Sequence, residues 1–185
     1  MPADEPIRIV AYDPAWRELF ERERALLDAA IGEWVVGGIH HVGSTAVPAL
    51  DAKPTIDILA GVESLAASRP CFEPLVALEY VYAPYRREEM HWFCKPSRAR
   101  RTHHLHLVPA RSERFCDELA FRDYLRANTE VARDYAELKR RLAKRFAHDR
   151  EAYTDAKSAF IGAVLESARR GVSRSSRPSP AGSAG

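Results

Sequence analysis

Long apolar runs are missing from this chain. No stretch approaches the roughly 20 consecutive apolar residues that a helix needs to cross a bilayer. The N-terminus lacks the basic start and apolar core of a secretion signal. These two absences predict a cytoplasmic protein without a membrane partner. Cysteine is scarce: Cys71, Cys94 and Cys116 are widely spaced and odd in number. With no Cys-x-x-Cys pair, neither a zinc knuckle nor a disulfide framework is expected, and the thiols should be buried and free. An excess of one charge sign is also absent. The chain carries 28 basic and 26 acidic residues, and the four arginines of residues 168–185 have no acid among them. Without that tail the balance is 24 basic to 26 acidic, so the body of the protein has no strong nucleic-acid signal.

What remains is the composition of an ordinary globular domain, 185 residues long and 46% apolar. Residues 1–168 read as one domain. Residues 169–185, rich in Ser, Pro and Gly, read as a disordered tail. Residues 7–12 look extended. Asp13-Pro14 then opens a helix over 14–31, with Trp16, Leu19, Phe20, Leu26 and Leu27 on one face and Gly32 as its stop. A strand with a Gly-Gly kink is expected at 34–42, a second strand at 55–61, and a helix at 64–79 interrupted at Pro70 and Pro74. Further strands are expected at 79–84, 90–95 and 102–109. From Phe115 the rhythm turns helical, with boundaries at Asn128 and Asp149. That order predicts an α+β fold: a mixed sheet with helices packed on it and a helical C-terminal third. Nothing in the sequence sets the oligomeric state.

The chemistry concentrates between residues 41 and 106. His41-Val-Gly-Ser-Thr45 is a small turn suited to presenting backbone N–H groups and hydroxyls to a phosphate. Lys53-Pro-Thr-Ile-Asp57-Ile follows. A carboxylate set among Ile56, Ile58 and Leu59 is costly unless paired or bound to a metal. Strand alternation puts His104 and His106 on one face and His103, Leu105 and Leu107 on the other. If the two strands are neighbours, Asp57, His104 and His106 converge as candidate ligands for a divalent ion. Gly43, Ser44, Thr45 and Lys53 are candidate phosphate ligands. Lys139 and Lys157, on the C-terminal helices, are further candidates; Lys157 lies one turn from Tyr153 and borders an apolar face. His41, Arg122 and Asp123 are candidate supporting residues, with an Arg122–Asp123 pair expected.

Seven segments together resemble the GrpB family. They are Tyr12-Asp-Pro-Ala-Trp16, His41-Val-Gly-Ser-Thr-Ala-Val-Pro48, Lys53-Pro-Thr-Ile-Asp-Ile58, His103-His-Leu-His106, Phe121-Arg-Asp-Tyr-Leu-Arg126, Tyr135-x-x-Leu-Lys139 and Tyr153-x-x-x-Lys157-x-x-Phe-Ile161. They occur in order and span about residues 7–165. The resemblance implies a nucleotidyltransferase-like fold, with a Gly-Ser turn after the first strand and an acidic strand next. It also implies a domain that occurs fused behind dephospho-CoA kinase in some bacteria. Active members of that superfamily carry an acid-x-acid pair on the second strand and a third acid later. Here Thr55 stands at the first acid's position, and His104 and His106 stand where the later acid would be.

Three functions are therefore expected in turn. The first is a metal-dependent nucleotidyl- or phosphoryl-transferase. In it Ser44 holds phosphates, Asp57 binds Mg²⁺ or Mn²⁺ (Zn²⁺ as the softer alternative) with His104 or His106, and Lys53 neutralises charge on a nucleotide-like small molecule. The second is a non-catalytic module binding a nucleotide or CoA-type ligand, favoured by Thr55. The third is a histidine-based phosphoesterase, weakened by Val108 at the third alternating position.

Overall fold

The structure, a computed structural model, describes residues 5–175. The elements follow the chain as α1 (Ala15–Ile31), β1 (Val35–Val42), β2 (Ile56–Val62), α2 (Phe72–Ala77), β3 (Val81–Tyr82), β4 (His91–Pro96) and β5 (Arg101–Pro109). Four helices complete it: α3 (Glu113–Ala127), α4 (Thr129–Arg145), α5 (Arg150–Asp155) and α6 (Ser158–Ser175). The five strands form one mixed sheet in the order β1-β2-β5-β4-β3. Only the central β2–β5 pair is parallel. Among the described residues no helix is long and apolar enough to cross a membrane.

Period-two alternation divides the core between the two faces of the sheet. Ile56, Ile58, Ala60 and Val62 of β2 join Leu105 and Leu107 of β5 and Phe93 of β4. They pack against Trp16, Phe20, Leu27 and Ile31 of α1 and Leu75 of α2. On the other face Val42, Leu59 and Val108 meet Met90 and Phe115 of α3. A third cluster joins Val47 and Leu50, after the Gly-Ser turn, to Leu125 of α3 and Ala132, Tyr135 and Ala136 of α4. The α1 face also buries Glu23. Its carboxylate accepts from Lys95 Nζ at 2.6 and 2.7 Å and from the Tyr80 hydroxyl at 3.0 Å, which satisfies the charge.

Several expected boundaries hold, and some do not. Asp13 Oδ1 accepts from Ala15 N at 2.9 Å, so the carboxylate does meet the first turn of α1. Asp149 Oδ1 caps α5 by accepting from Ala152 N at 2.9 Å. The Gly-Gly kink is real, with the β1–β2 register shifting between Val35 and Ile39 and Gly38 at φ +79°. The helix expected over 64–79 is reduced to a 3-10 turn at Arg69–Cys71 and the six residues of α2. Pro70 and Pro74 each withhold a backbone donor there. Cys71 and Cys94 are buried, whereas Cys116 is exposed on α3. The expected tail is helical as far as Ser175. Arg169 holds that helix to α3 through Glu113 at 2.7 Å and Asp117 at 2.8 Å. Residues 176–185 lie outside the described residues.

The sheet requires two glycines at one crossing. A Cβ at Gly61 would lie 2.7 Å from Gly37 Cα and 2.8 Å from the Phe115 ring. Gly61→Ala should therefore lower stability by about 1–3 kcal/mol, read as a lower urea midpoint. An unchanged midpoint would contradict this account of how β1, β2 and α3 meet.

Candidate functional site

The site begins where β1 ends. Gly43 has φ +68°, a left-handed conformation that favours glycine. A Cβ there would fall 2.9 Å from the Asp57 Cγ, so only glycine lets the turn close over this carboxylate. Ser44–Ala46 then form a 3-10 turn. The Thr45 hydroxyl donates to the Thr55 carbonyl at 3.3 Å and lies 2.9 Å from His41 Nε2. Thr45 is thus buried and committed to the fold, not presented to a ligand. Thr55 is committed in the same way, donating to the Arg101 carbonyl at 3.2 Å. Ser44 hydrogen-bonds the buried Tyr135 of α4.

Asp57 and His104 face each other because the parallel register pairs their Cα positions. Asp57 Oδ1 lies 2.8 Å from His104 Nδ1. Burial by itself would raise the Asp57 carboxyl. The His104 hydrogen bond and the positive charges of His104, His106 and Lys53 outweigh it and hold it at about 2. Burial pushes His104 down to about 4 against the pull of Asp57. At neutral pH the pair is therefore a carboxylate accepting from a neutral imidazole. His104 Nε2 is left as a buried lone pair without a partner among the described residues. The Asp57 side chain keeps 28% of its surface accessible, so it is half-buried.

His106 turns to a different partner. Its Nδ1 lies 3.0 Å from Glu118 Oε2 of α3, and Glu118 pairs with Arg114 at 3.1 Å, which pairs with Glu89 at 2.9 Å. Burial opposes the charge on His106, but Glu118 outweighs burial and raises its pKa. The expected trio is thus two pairs, Asp57–His104 and His106–Glu118. Among the described residues no group of three or more His, Cys, Asp or Glu side chains is arranged to hold a metal ion. A Mg²⁺ or Mn²⁺ pair needs several anionic oxygens, and this face supplies Asp57 with Thr55 bonded elsewhere. A Zn²⁺ site takes at least three protein ligands, and Asp57 with His104 Nε2 makes two. The residues do not fit these ions.

Two lysines lie in the field of this carboxylate. Lys139 of α4 is 2% exposed and donates to the Asp51 carbonyl at 2.6 Å, with its Nζ 4.7 Å from the Tyr135 ring centroid. Lys157, between α5 and α6, lies 4.3 Å over the Tyr153 ring. The same Tyr-x-x-x-Lys spacing serves twice, because residues four apart on a helix meet. Burial, reinforced by Lys157, lowers Lys139 to about 7. Burial also lowers Lys157, to about 8, with Asp57 resisting and Lys53 assisting. Lys53, Lys139 and Lys157 therefore share the field of one carboxylate. Tyr135 and Tyr153, which the sequence places in the family segments but not among the candidate site residues, lie against these lysines. The repeated spacing was the signal for them.

The expected supporting residues sit apart. His41 stacks on Phe20 of α1 at 4.7 Å, on the opposite side of the sheet from Asp57, and burial drops its pKa to about 4. Arg122 donates to the His41 carbonyl at 3.1 Å and pairs with Asp123 at 2.7 Å. Each of the six histidines between residues 40 and 106 has a polar partner.

The architecture defines a class: an α+β protein in which a Gly-Ser turn folds over an acid-bearing central strand, beside buried lysines. Comparison with known proteins narrows it. A family model described as GrpB protein matches residues 6–167, and the chain belongs to this family. It is 35% identical over 162 residues to the glutamate-rich protein GrpB of Alkalihalophilus pseudofirmus, covering 85% of this chain and 92% of that one. The crystal structure of the conserved protein GrpB from Enterococcus faecalis superposes with a TM-score of 0.81 at 32% identity, over 89% of this chain and 99% of that one. The dephospho-CoA kinase of Mycolicibacterium paratuberculosis is 30% identical over 187 residues, which cover 86% of this chain but 45% of the kinase.

The lysines carry a stability signature. Between about pH 7 and the unfolded value of 10.5, folded Lys139 has lost its proton while the unfolded chain keeps it. The unfolded state then binds more protons, so this group makes stability rise with pH, by at most about 1.4 kcal/mol per unit. Lys139→Met should flatten that rise relative to the parent chain in urea titrations across this range. Parallel slopes would show that Lys139 titrates normally.

Proposed function

We propose that the chain binds a phosphoryl-bearing, nucleotide-like small molecule on the Asp57 face of the sheet. The Gly43-Ser44 turn, Lys53, Lys139 and Lys157 hold its phosphates. The observation that carries this reading is the placing of buried Lys139 and half-buried Lys157 beside a single carboxylate, with the charge of both lowered by desolvation. Desolvation disfavours both ammonium groups, Lys157 disfavours that of Lys139 further, and a bound dianion relieves that cost. Tyr135 and Tyr153 give the cations apolar walls and exclude water. Paired-metal catalysis is not part of this reading, because Thr55 replaces the first acid and is bonded to Arg101.

A second reading, nucleotidyl or phosphoryl transfer to an acceptor hydroxyl, rests on His104. Asp57 fixes its Nδ1–H tautomer and leaves Nε2 able to take a proton. In such a step the acceptor O–H proton passes to Nε2 as its oxygen bonds to phosphorus and the pyrophosphate or nucleotide oxygen leaves. Imidazole attack on phosphate would fall to His104 Nε2 alone, since His106 Nδ1 is paired with Glu118.

Isothermal titration with ATP, ADP and a CoA-type ligand tests the binding reading. Affinity should fall about tenfold or more as pH rises from about 6.5 to 9, because Lys139 and Lys157 discharge across that interval. Lys157→Gln should weaken binding by about tenfold. Asp57→Asn removes a repulsion on the anion but also the counter-charge that keeps Lys139 and Lys157 protonated, so the two effects should offset and leave binding largely intact. Affinity indifferent to both pH and Lys157→Gln would sink the reading. Nucleotide turnover that His104→Gln abolishes without loss of binding would establish the second reading.

A further inference from the structure

A cavity lies away from Asp57. It occupies about 510 Å³ at the free edge of β1, between α1 and α3, on the His41 side of the Ser44–Ala46 turn. Small-molecule sites span roughly 300–1,000 Å³. Two helices line it with guanidinium groups: Arg17 and Arg24 from α1, Arg122 and Arg126 from α3. The spacing makes this inevitable once the helices form, since 17, 21 and 24 share one face of α1 and 122 and 126 share one face of α3.

The charges in this cleft do not balance. Glu21 pairs with Arg24 at 2.7 Å, and Asp123 pairs with Arg122 at 2.7 Å. Arg126 lies 3.7 Å from the same Asp123, already engaged, and donates Nε to the Ala46 carbonyl at 2.9 Å. Arg17 has no side-chain ion pair among the described residues. His41, held neutral by burial, adds no counter-charge of its own. Arg126 is lowered by burial and then by Arg122 and Arg17, with Asp123 opposing, which shows that the guanidinium groups feel one another. Arg122 and Arg126 are also fixed in place by the His41 and Ala46 carbonyls, so little side-chain freedom is lost when an anion arrives.

We propose that this arginine cleft is a second anion site, taking a small molecule that carries two or more phosphoryl groups. Guanidinium forks reach the cavity from two helices and so from different directions. A tetrahedral phosphoryl group offers oxygens to several such forks, whereas a planar carboxylate is largely satisfied by one. The excess over the local acids is about two positive charges, which suits a diphosphate more than a single monoanion. The cleft is separate from the lysine site, because β1 sends His41 towards α1 while Asp57 faces the other side of the sheet.

The test uses the full chain and inorganic pyrophosphate, at about pH 9 and low salt, by titration calorimetry and thermal shift. At that pH Lys139 and Lys157 are discharged while arginine stays charged. Saturable binding with a raised melting temperature is expected. Arg17→Glu, at an exposed residue whose loss leaves the fold alone, and the milder Arg126→Lys should each weaken it by roughly tenfold or more. Lys157→Gln should leave it unchanged. Failure to bind millimolar pyrophosphate would overturn the proposal. So would binding indifferent to both arginine variants, binding lost in Lys157→Gln, or tighter binding of citrate than of pyrophosphate. Loss in Lys157→Gln would put the pyrophosphate at the lysine site instead; the other results leave the lysine site, whose own titration is done at lower pH, untouched.

Discussion

A carboxylate in the middle of an apolar strand constrains everything around it. Asp57 stays ionised among Ile56, Ile58 and Leu59 because the parallel β2–β5 register brings His104 Nδ1 to 2.8 Å. Its other side lies against the turn that leaves β1. That contact dictates glycine at 43, where a side chain would press into the carboxylate. With Gly43 in a left-handed conformation, the chain enters the 3-10 turn that turns Ser44 towards Tyr135 and Thr45 towards His41. The Gly-Ser sequence is therefore the way the backbone passes over a paired acid, as well as a place to present N–H groups.

The same turn separates two cationic regions of different character. On the Asp57 side the cations are lysines, each against a tyrosine ring, whose charge is adjustable near neutral pH. On the His41 side they are arginines, whose charge is fixed across the physiological range. Strand alternation makes this separation: neighbouring residues of β1, His41 and Val42, point to opposite faces. His41 stacks on Phe20 of α1, and Val42 packs with Leu59 and Phe115 under α3.

Much of this was legible in the sequence, for physical reasons that can be named. The α1 helix and strands β1, β2 and β5 follow from residue periodicity, which depends on each segment alone. The Asp57–His104 meeting was foreseeable because both residues sit on strands whose neighbourhood could be guessed. The His106–Glu118 pair was not, because Glu118 reaches the sheet only through the way α3 packs, and its sequence context is an ordinary charged helix. Lys139 was legible as a candidate, but its near-complete burial was not, since most helical lysines face water. The grouping of Arg17, Arg24, Arg122 and Arg126 is a tertiary fact about two helices with the whole sheet between them in sequence.

The lone acid has a further consequence for the proposed lysine site. A pocket holding Lys53, Lys139 and Lys157 without any counter-charge would discharge more readily, because each ammonium depresses the others. Asp57 opposes this in both Lys139 and Lys157 and keeps Lys157 nearer its charged form. It also repels an anion that approaches β2 directly. A phosphate entering the proposed site is therefore driven off the strand and towards the turn and the two Tyr-x-x-x-Lys helices, where the cations lie against aromatic walls and water competes least. One carboxylate thus maintains the charge that attracts the ligand and limits where that ligand can settle, which gives Asp57 a role even without the second acid that metal chemistry would demand.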